Sequence, residues 1–399
     1  MVEQIIMRSG SHSLNGFNFD HIVPKSGEDF PAQVYSCVEQ LLHFIRDEDE
    51  TRYFITQQTF FISAKTREEY DLRSAEIHSQ LSRMCGTNLP ATSIVAQSPP
   101  SGSDVVLELI CTKETEKKKV TYKSHNGLRY TLVEYNGFKA VHCAGLMGKA
   151  TDTIQESSIK AFEDAVAILA TEGLSIHHII RQWNYIESIA WVDDLEDSEQ
   201  NYQVFNDVRA HYYDQGDFSL GYPAATGIGM DTGGVIIDFI ALSESDQVKI
   251  KPIMNPGQID AHKYSEVVLE GSSVRKCTPK FERAKLVSIG DRNYIYVSGT
   301  ASILGEKTMH VGDVEKQTIT TIDNINRLFS KENQERLGLD FDLSKIRFSH
   351  LRVYVKHQED IPTVERICES MLNCNSSLYL ESDVCREDLL VEIEGVFTV

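Results

Sequence analysis

A strand-like apolar run with an acid near its middle is written three times in this chain of 399 residues. A unit used three times restricts the fold to architectures that set similar modules side by side. The runs are Val105 to Cys111 around Glu108, Val235 to Ala241 around Asp238, and Leu389 to Gly395 around Glu392. Each follows a shorter segment and a polar turn: Leu89-Pro90-Ala91-Thr92-Ser93, Tyr222-Pro223-Ala224-Ala225-Thr226, and Ser376-Ser377-Leu378-Tyr379-Leu380.

The upstream elements repeat as well. Apolar residues at helical spacing cover Ala161, Ala165, Ile168 and Leu169, and again Ile319, Ile322, Ile325 and Leu328; strands follow over 179–189 and 346–355. The first unit shows a helix near Val34 to Ile45 and a strand near Tyr53 to Ile62. Strand-rich segments with turn signals at Asn136-Gly137 and Ile289-Gly290-Asp291 precede the helices of the second and third units. Each unit therefore reads as β-hairpin, helix, strand, helix, strand, strand, an α+β layer architecture. Module limits are expected at 1–120, 121–250 and 251–399, with the charged stretch Glu114 to Lys119 read as a solvated linker.

Composition removes several function classes. Against 59 Asp and Glu stand 39 Lys and Arg, a net charge of −20 that repels phosphate backbones and anionic membrane surfaces. No apolar stretch approaches a membrane span, and the start at Met1, Val2, Glu3, Gln4 has no basic segment leading into an apolar core. Eight scattered cysteines form no Cys-x-x-Cys pair, which argues against a zinc site or a disulfide framework and for reduced thiols in the cytoplasm. Gly227-Ile228-Gly229 does not follow a strand, and Gly145 to Lys149 has the wrong glycine spacing for a phosphate loop. No metal or cofactor is expected.

Glu108, Asp238 and Glu392 occupy corresponding places in the three terminal strands, and spacing alone does not choose among them. On an alternating strand such an acid faces either water or a cleft, and in a cleft its pKa rises toward the range of a general acid.

The C-terminal unit resembles the RidA (YjgF) module in Ser298-Gly299-Thr300, Gly312-Asp313, Gln317, Asn324-Ile325 and Val391-Glu392-Ile393-Glu394. Across Arg181 to Tyr185, Phe205 to Arg209, Pro223 to Gly229, Ser298 to Ile303 and Cys385 to Gly395 the chain is similar to the chorismatases, which combine RidA-like modules in one polypeptide. The likeness covers about residues 120 to 399; the first unit matches by pattern only. It implies tandem modules forming an intramolecular pseudo-trimer, a monomer with pockets between modules. It also implies an enzyme that cleaves the enolpyruvyl ether of chorismate, releasing pyruvate by protonation of the vinyl carbon.

The resemblance makes Glu392 the catalytic acid, with Glu394 on the same strand face as fallback. Two substrate carboxylates need cations, for which Arg209, Arg352 and Arg181 are the candidates, a structural ion pair being the other reading of the last two. Tyr185, Thr226, Gly227, Gly299 and Ala301 complete the expected binding set. Cys385 resembles the subgroup that forms 3-hydroxybenzoate, whereas Ala301 points to the subgroup that forms a dihydroxycyclohexadiene carboxylate. The arginine of RidA-type imine deaminases is absent from 376–384, which disfavours that activity. A non-catalytic protein that binds small carboxylates is the remaining alternative.

Overall fold

The structure is a computed structural model that describes residues 17–24, 29–45, 53–113, 115–192, 199–265, 277–290, 292–339, 347–374 and 376–398. Met1 to Gln4, Glu114, Asp291 and Ile346, on which parts of the sequence reading drew, lie outside these. No helix among the described residues is long and apolar enough to cross a membrane.

Three mixed sheets follow one another along the chain. The first contains β1 (Phe17–Ile22), β2 (Tyr53–Ile62), β3 (Ala91–Val95) and β4 (Val105–Lys113), with helices α1 (Phe30–Ile45) and α2 (Arg67–Cys85), in the order β1-β4-β2-β3. The second contains β5 (Lys118–His125), β6 (Leu128–Tyr135), β7 (Phe138–Met147), β8 (Ile179–Glu187), β9 (Ala224–Met230) and β10 (Val235–Leu242), with α3 (Ile154–Thr171) and α4 (Asn201–Tyr213). The third contains β11 (Val248–Ile253), β12 (Ala284–Ile289) and β13 (Arg292–Ala301). After it come a short ribbon of β14 (Ile303–Leu304) and β15 (Lys307–Thr308), then α5 (Val314–Phe329), α6 (Lys331–Leu337), β16 (Arg347–Val355), α7 (Ile361–Met371), β17 (Ser377–Glu381) and β18 (Val391–Thr398). The two six-stranded sheets have the same order, β5-β6-β7-β10-β8-β9 and β11-β12-β13-β18-β16-β17.

Local chemistry accounts for the helices. Thr153 and Glu156 form a reciprocal capping box that starts α3, and its Ala161, Ala165, Ile168 and Leu169 stripe is buried against the sheet. Asp313 caps α5 by accepting from the Lys316 amide.

Two expectations need correction. The charged stretch read as a linker is strand from Lys118 onward, paired with β6 along its whole length, and Lys118 is buried with its ammonium donating to Thr112. Charged residues on an edge strand mimic a solvated loop in sequence. The limits expected at 120/121 and 250/251 accordingly fall inside β5 and β11. Nor do the acid-bearing strands alternate between core and water. Every residue of β4 and β10 is buried, because helices cover one face of each sheet and a neighbouring module covers the other.

Each sheet has its own helix-covered core, and a further core gathers residues of all three, among them Phe61, Val106, Trp183, Tyr185, Tyr296, Tyr354 and Val396. The modules meet cyclically: β3 packs on β7, β9 on β13, and β16 on β1. The chain thus closes an internal pseudo-trimer.

Register shows how alike the modules are. Opposite β4, β10 and β18 the partner strands β2, β8 and β16 carry a bulge at the same place, at 55/57, at 240/241 opposite 179–181, and at 348/350. Counting from these bulges, Glu108 pairs with Thr59, Asp238 with Trp183 and Glu394 with Arg352. The counterpart of Glu108 and Asp238 is therefore Glu394, and the expected place of Glu392 in that set is off by two. Glu392 pairs with Tyr354, and its counterparts are Val106 and Ile236. Strand periodicity of two puts residues 392 and 394 on the same face, so pattern alone does not separate them.

The three equivalent acids lie where the modules meet. Glu108 of the first is held by His350, with Nε2 2.6 Å from Oε1, and by the guanidinium of Arg352, both from the third. Glu394 of the third is held by Arg181, by the indole of Trp183 at 2.8 Å and by Thr226, all from the second. Removing one partner of a buried ion pair strands the other charge, so Arg352→Met is expected to lower unfolding free energy by about 3–5 kcal/mol in urea denaturation. A loss of under about 1 kcal/mol, the range of an exposed pair, would show that this pair does not tie the modules.

Candidate active site

A cleft opens between the second and third modules. Its floor is built by strands and its rim by segments at their ends. β9 supplies Ala225 and Gly227, β13 supplies Gly299 and Ala301, and β18 supplies Glu392. Tyr202 and Asn206 of α4 close one side, and Cys385, Arg386 and Leu389 the other. Tyr264, Phe281 and Arg283 reach in from the segment before β12.

Two glycines keep the space open. A Cβ on Gly299 would collide with the Glu392 carboxyl, and one on Gly227 would come 2.8 Å from the Tyr202 ring. Ala301 pairs with Glu392 across the β13 and β18 ladder, so a small residue stands directly beside the acid.

Glu392 is 5% exposed. Burial, and next the negative charge of Glu394, push its carboxyl up to about 8, against the partial pull of Arg181 and Arg283. The group is therefore a neutral acid at pH 7. Cys385 is a thiol rather than a thiolate, pushed up to about 12 by burial and by Glu392. It offers bulk and weak polarity, not a nucleophile.

Of the expected site residues, the cleft brings together Glu392, Cys385, Gly227, Gly299 and Ala301. Thr226 lies one layer behind, where its hydroxyl contacts Glu394, Arg181 (2.8 Å) and the Gly299 amide (3.1 Å). Tyr185 accepts from Arg352 at 2.7 Å in the inter-module core. The three arginines expected on substrate carboxylates do not line the cleft. Arg181 is spent on Glu394, Arg352 on Glu108, and Arg209 stacks on Phe205 while donating to the side chain of Asn206. Buried cations pair with buried anions, and the two buried glutamates claim them. Arg209 thus touches a side chain that lines the cleft, Asn206, without lining it itself.

The cleft's own cations are Arg283 and Arg386, which the sequence reading did not single out. Arg283 donates to the Ile259 carbonyl and the Tyr264 hydroxyl, each at 2.6 Å, and its buried Nε has no partner. Arg386 donates to the Glu306 carbonyl at 2.9 Å. Both guanidiniums lie over the Tyr264 ring, 5.5 and 5.7 Å from its centroid, within the range of a cation–π contact. Arg386 adjoins Cys385 in a stretch already conspicuous, whereas Arg283 sits outside any repeat pattern and gave no signal.

His177, His178 and Glu244 form a cluster of metal-ligating type within 4.8 Å. None of them lines the cleft, and His178 Nδ1 accepts the Ser175 amide hydrogen at 3.1 Å.

Known proteins were compared with the chain. A family model described as Chorismatase FkbO/Hyg5-like, N-terminal, matches residues 114–241. A chorismatase of Streptomyces rapamycinicus is 38% identical over 222 residues, 55% of this chain, and the chain spans 63% of that relative's length. A 3-hydroxybenzoate synthase of Streptomyces hygroscopicus is 31% identical over 286 residues, covering 69% of this chain and 78% of the relative. The crystal structure of a chorismatase superposes with a TM-score of 0.68 and 23% identity, covering 97% of this chain and 99% of that one, which establishes a shared fold.

The raised carboxyl gives a pH-dependent stability. Below its unfolded value near 4.5, Glu392 is protonated in both states and is neutral in its effect. Between about 4.5 and 8 only the unfolded chain releases the proton, so folding loses about 1.4 kcal/mol per pH unit, and above about 8 the loss is complete. Glu392→Gln is therefore expected to melt with the unsubstituted protein near pH 4.5 and above it at pH 8.5. Equal melting temperatures at both pH values would mean a carboxyl in contact with water.

Proposed function

The chain belongs to the chorismatase family, and on that premise we propose that it cleaves the enolpyruvyl ether of chorismate with release of pyruvate. The observation that carries this reading is a buried carboxyl, raised to about 8, in one cleft with two guanidiniums that both lie over the Tyr264 ring. Cleaving a vinyl ether requires a proton on the vinyl carbon, and the cation then formed on the ether carbon requires a negative group nearby. Glu392 meets both needs in turn, as donor and then as carboxylate. Arg283 and Arg386 suit the two substrate carboxylates, since a guanidinium binds a carboxylate through two parallel hydrogen bonds. Gly227, Gly299 and Ala301 leave room for the substrate ring, with Thr226 fixing the Gly299 backbone.

Two products are compatible with the protonated ether. Loss of pyruvate with aromatisation gives 3-hydroxybenzoate, in which the atoms of chorismate divide between the two products without added water. Addition of water gives the dihydroxycyclohexadiene carboxylate. We favour the aromatic product, because Cys385 lines the cleft and a cysteine there resembles the subgroup that forms 3-hydroxybenzoate. The reading includes a monomer working without nucleic acid or membrane in the cytoplasm; all eight cysteines being free is consistent with that setting.

Incubation with chorismate and assay of pyruvate tests the proposal. Release of pyruvate is expected, with a rate that falls on the alkaline side of about pH 8 as Glu392 loses its proton. Glu392→Gln is expected to lower kcat by roughly 100- to 10,000-fold with the fold retained. No pyruvate from the folded protein would refute the reading, and stabilisation by small carboxylates without turnover would replace it by a binding function. Cys385→Val is expected to change the ratio of the two products by chromatography; an unchanged ratio removes Cys385 from product control.

A further inference from the structure

Glu394 is buried, pairs with the guanidiniums of Arg181 and Arg352 and does not line the cleft, yet it stands two residues from Glu392 on the same face of β18. Five groups fix it. Arg181, Thr226 and the Trp183 indole come from the second module; Arg352 at 3.3 Å and the Tyr354 hydroxyl at 3.3 Å come from β16. The Glu392 carboxyl, by contrast, faces the cleft. A fixed anion behind an acid, in a region from which water is excluded, favours the neutral form of that acid.

Resting on the function proposed above, we propose that Glu394 is a positioning residue for the reaction, an anion locked across the module boundary that keeps the proton on Glu392 until substrate is in place. The geometry also separates it from a second proton donor. Its two oxygens are engaged by two guanidiniums, two hydroxyls and an indole, and the residue does not line the cleft. Arg181 has a double part in this device. It anchors the anion, and its own charge draws Glu392 the other way. Burial raises the donor's proton affinity first, and Glu394 of the third module then adds to it while Arg181 of the second module and Arg283 in the cleft oppose it, so the arrangement exists only while the two modules are docked.

The balance predicts shifts of opposite sign, which a merely structural role would not produce. The readout is the pH at which the alkaline limb of kcat/KM falls. Glu394→Gln is expected to move that limb down by one pH unit or more, Arg181→Met to move it up, and Glu394→Asp, which retains the charge, to leave it near its original place. Should the single variants fail to fold because each strands a buried charge, Arg181→Met/Glu394→Gln removes both; Glu394 acts on Glu392 more strongly than Arg181 does, so the limb still falls. Carbon-detected NMR of the Glu392 carboxyl reads the same shifts without turnover. A shifted midpoint in a protein that releases no pyruvate would refute the function and sustain this inference. An alkaline limb and NMR midpoint that stay put in Glu394→Gln or the double variant, or that move the same way in both single variants, would overturn it.

Discussion

The fold turns on two buried acids, Glu108 and Glu394, each held by side chains of another module. At equivalent positions the modules contribute Gln57, Thr59 and Glu108, then Arg181, Trp183 and Asp238, then His350, Arg352 and Glu394. Arg352 and His350 of the third module hold the first module's acid, and Arg181 of the second module holds the third module's acid. Glu108 is thereby kept well below the usual carboxylate range by Arg352 and His350, against its burial. The step from first to second module breaks the pattern, since neither Gln57 nor Thr59 carries a charge. Asp238 is accordingly pushed up to about 7 by burial, eased by the Gly145 amide at 2.7 Å. Unpaired charge in a dry interior is costly, so each ion pair commits two modules to one arrangement.

The same equivalences explain why chemistry is placed at one boundary. Where the third module has Glu392, the second has Ile236 and the first Val106. Where the cleft has Ala301, the boundary between the first two modules has Met147; where it has Gly227, that boundary has Ile94. Larger apolar side chains fill the space that small residues leave open beside Glu392. Gly145 and Gly299 are retained at matching places, but only Gly299 faces a carboxyl of the cleft. A duplicated unit can keep its docking chemistry at every boundary while reserving the proton donor for one.

Much of this was legible in the sequence, and the gaps have physical causes. The triple repeat, the helices α3 and α5, the long buried strands and the small residues around Glu392 follow from periodicity and from the resemblance. The two-residue slip in equating Glu392 with Glu108 and Asp238 arose because positions two apart share a strand face. The stretch Glu114 to Lys119 looks solvated because edge strands such as β5 are charged. The arginines were less legible. Arg181, Arg209 and Arg352 lie near conspicuous motifs, but whether a cation meets substrate or a protein acid depends on what a distant module brings beside it. That is a tertiary fact without a local signature, and for the same reason Arg283, outside every pattern, stayed hidden.

The account centres on a proton held by Glu392 at neutral pH within a cleft formed by two docked modules. Isotope-edited infrared difference spectroscopy of the unsubstituted protein against Glu392→Gln at pH 7 tests this most directly. A protonated-carboxyl C=O stretch present in the former and absent from the latter is predicted. A difference spectrum showing only carboxylate bands at pH 7 would contradict the account.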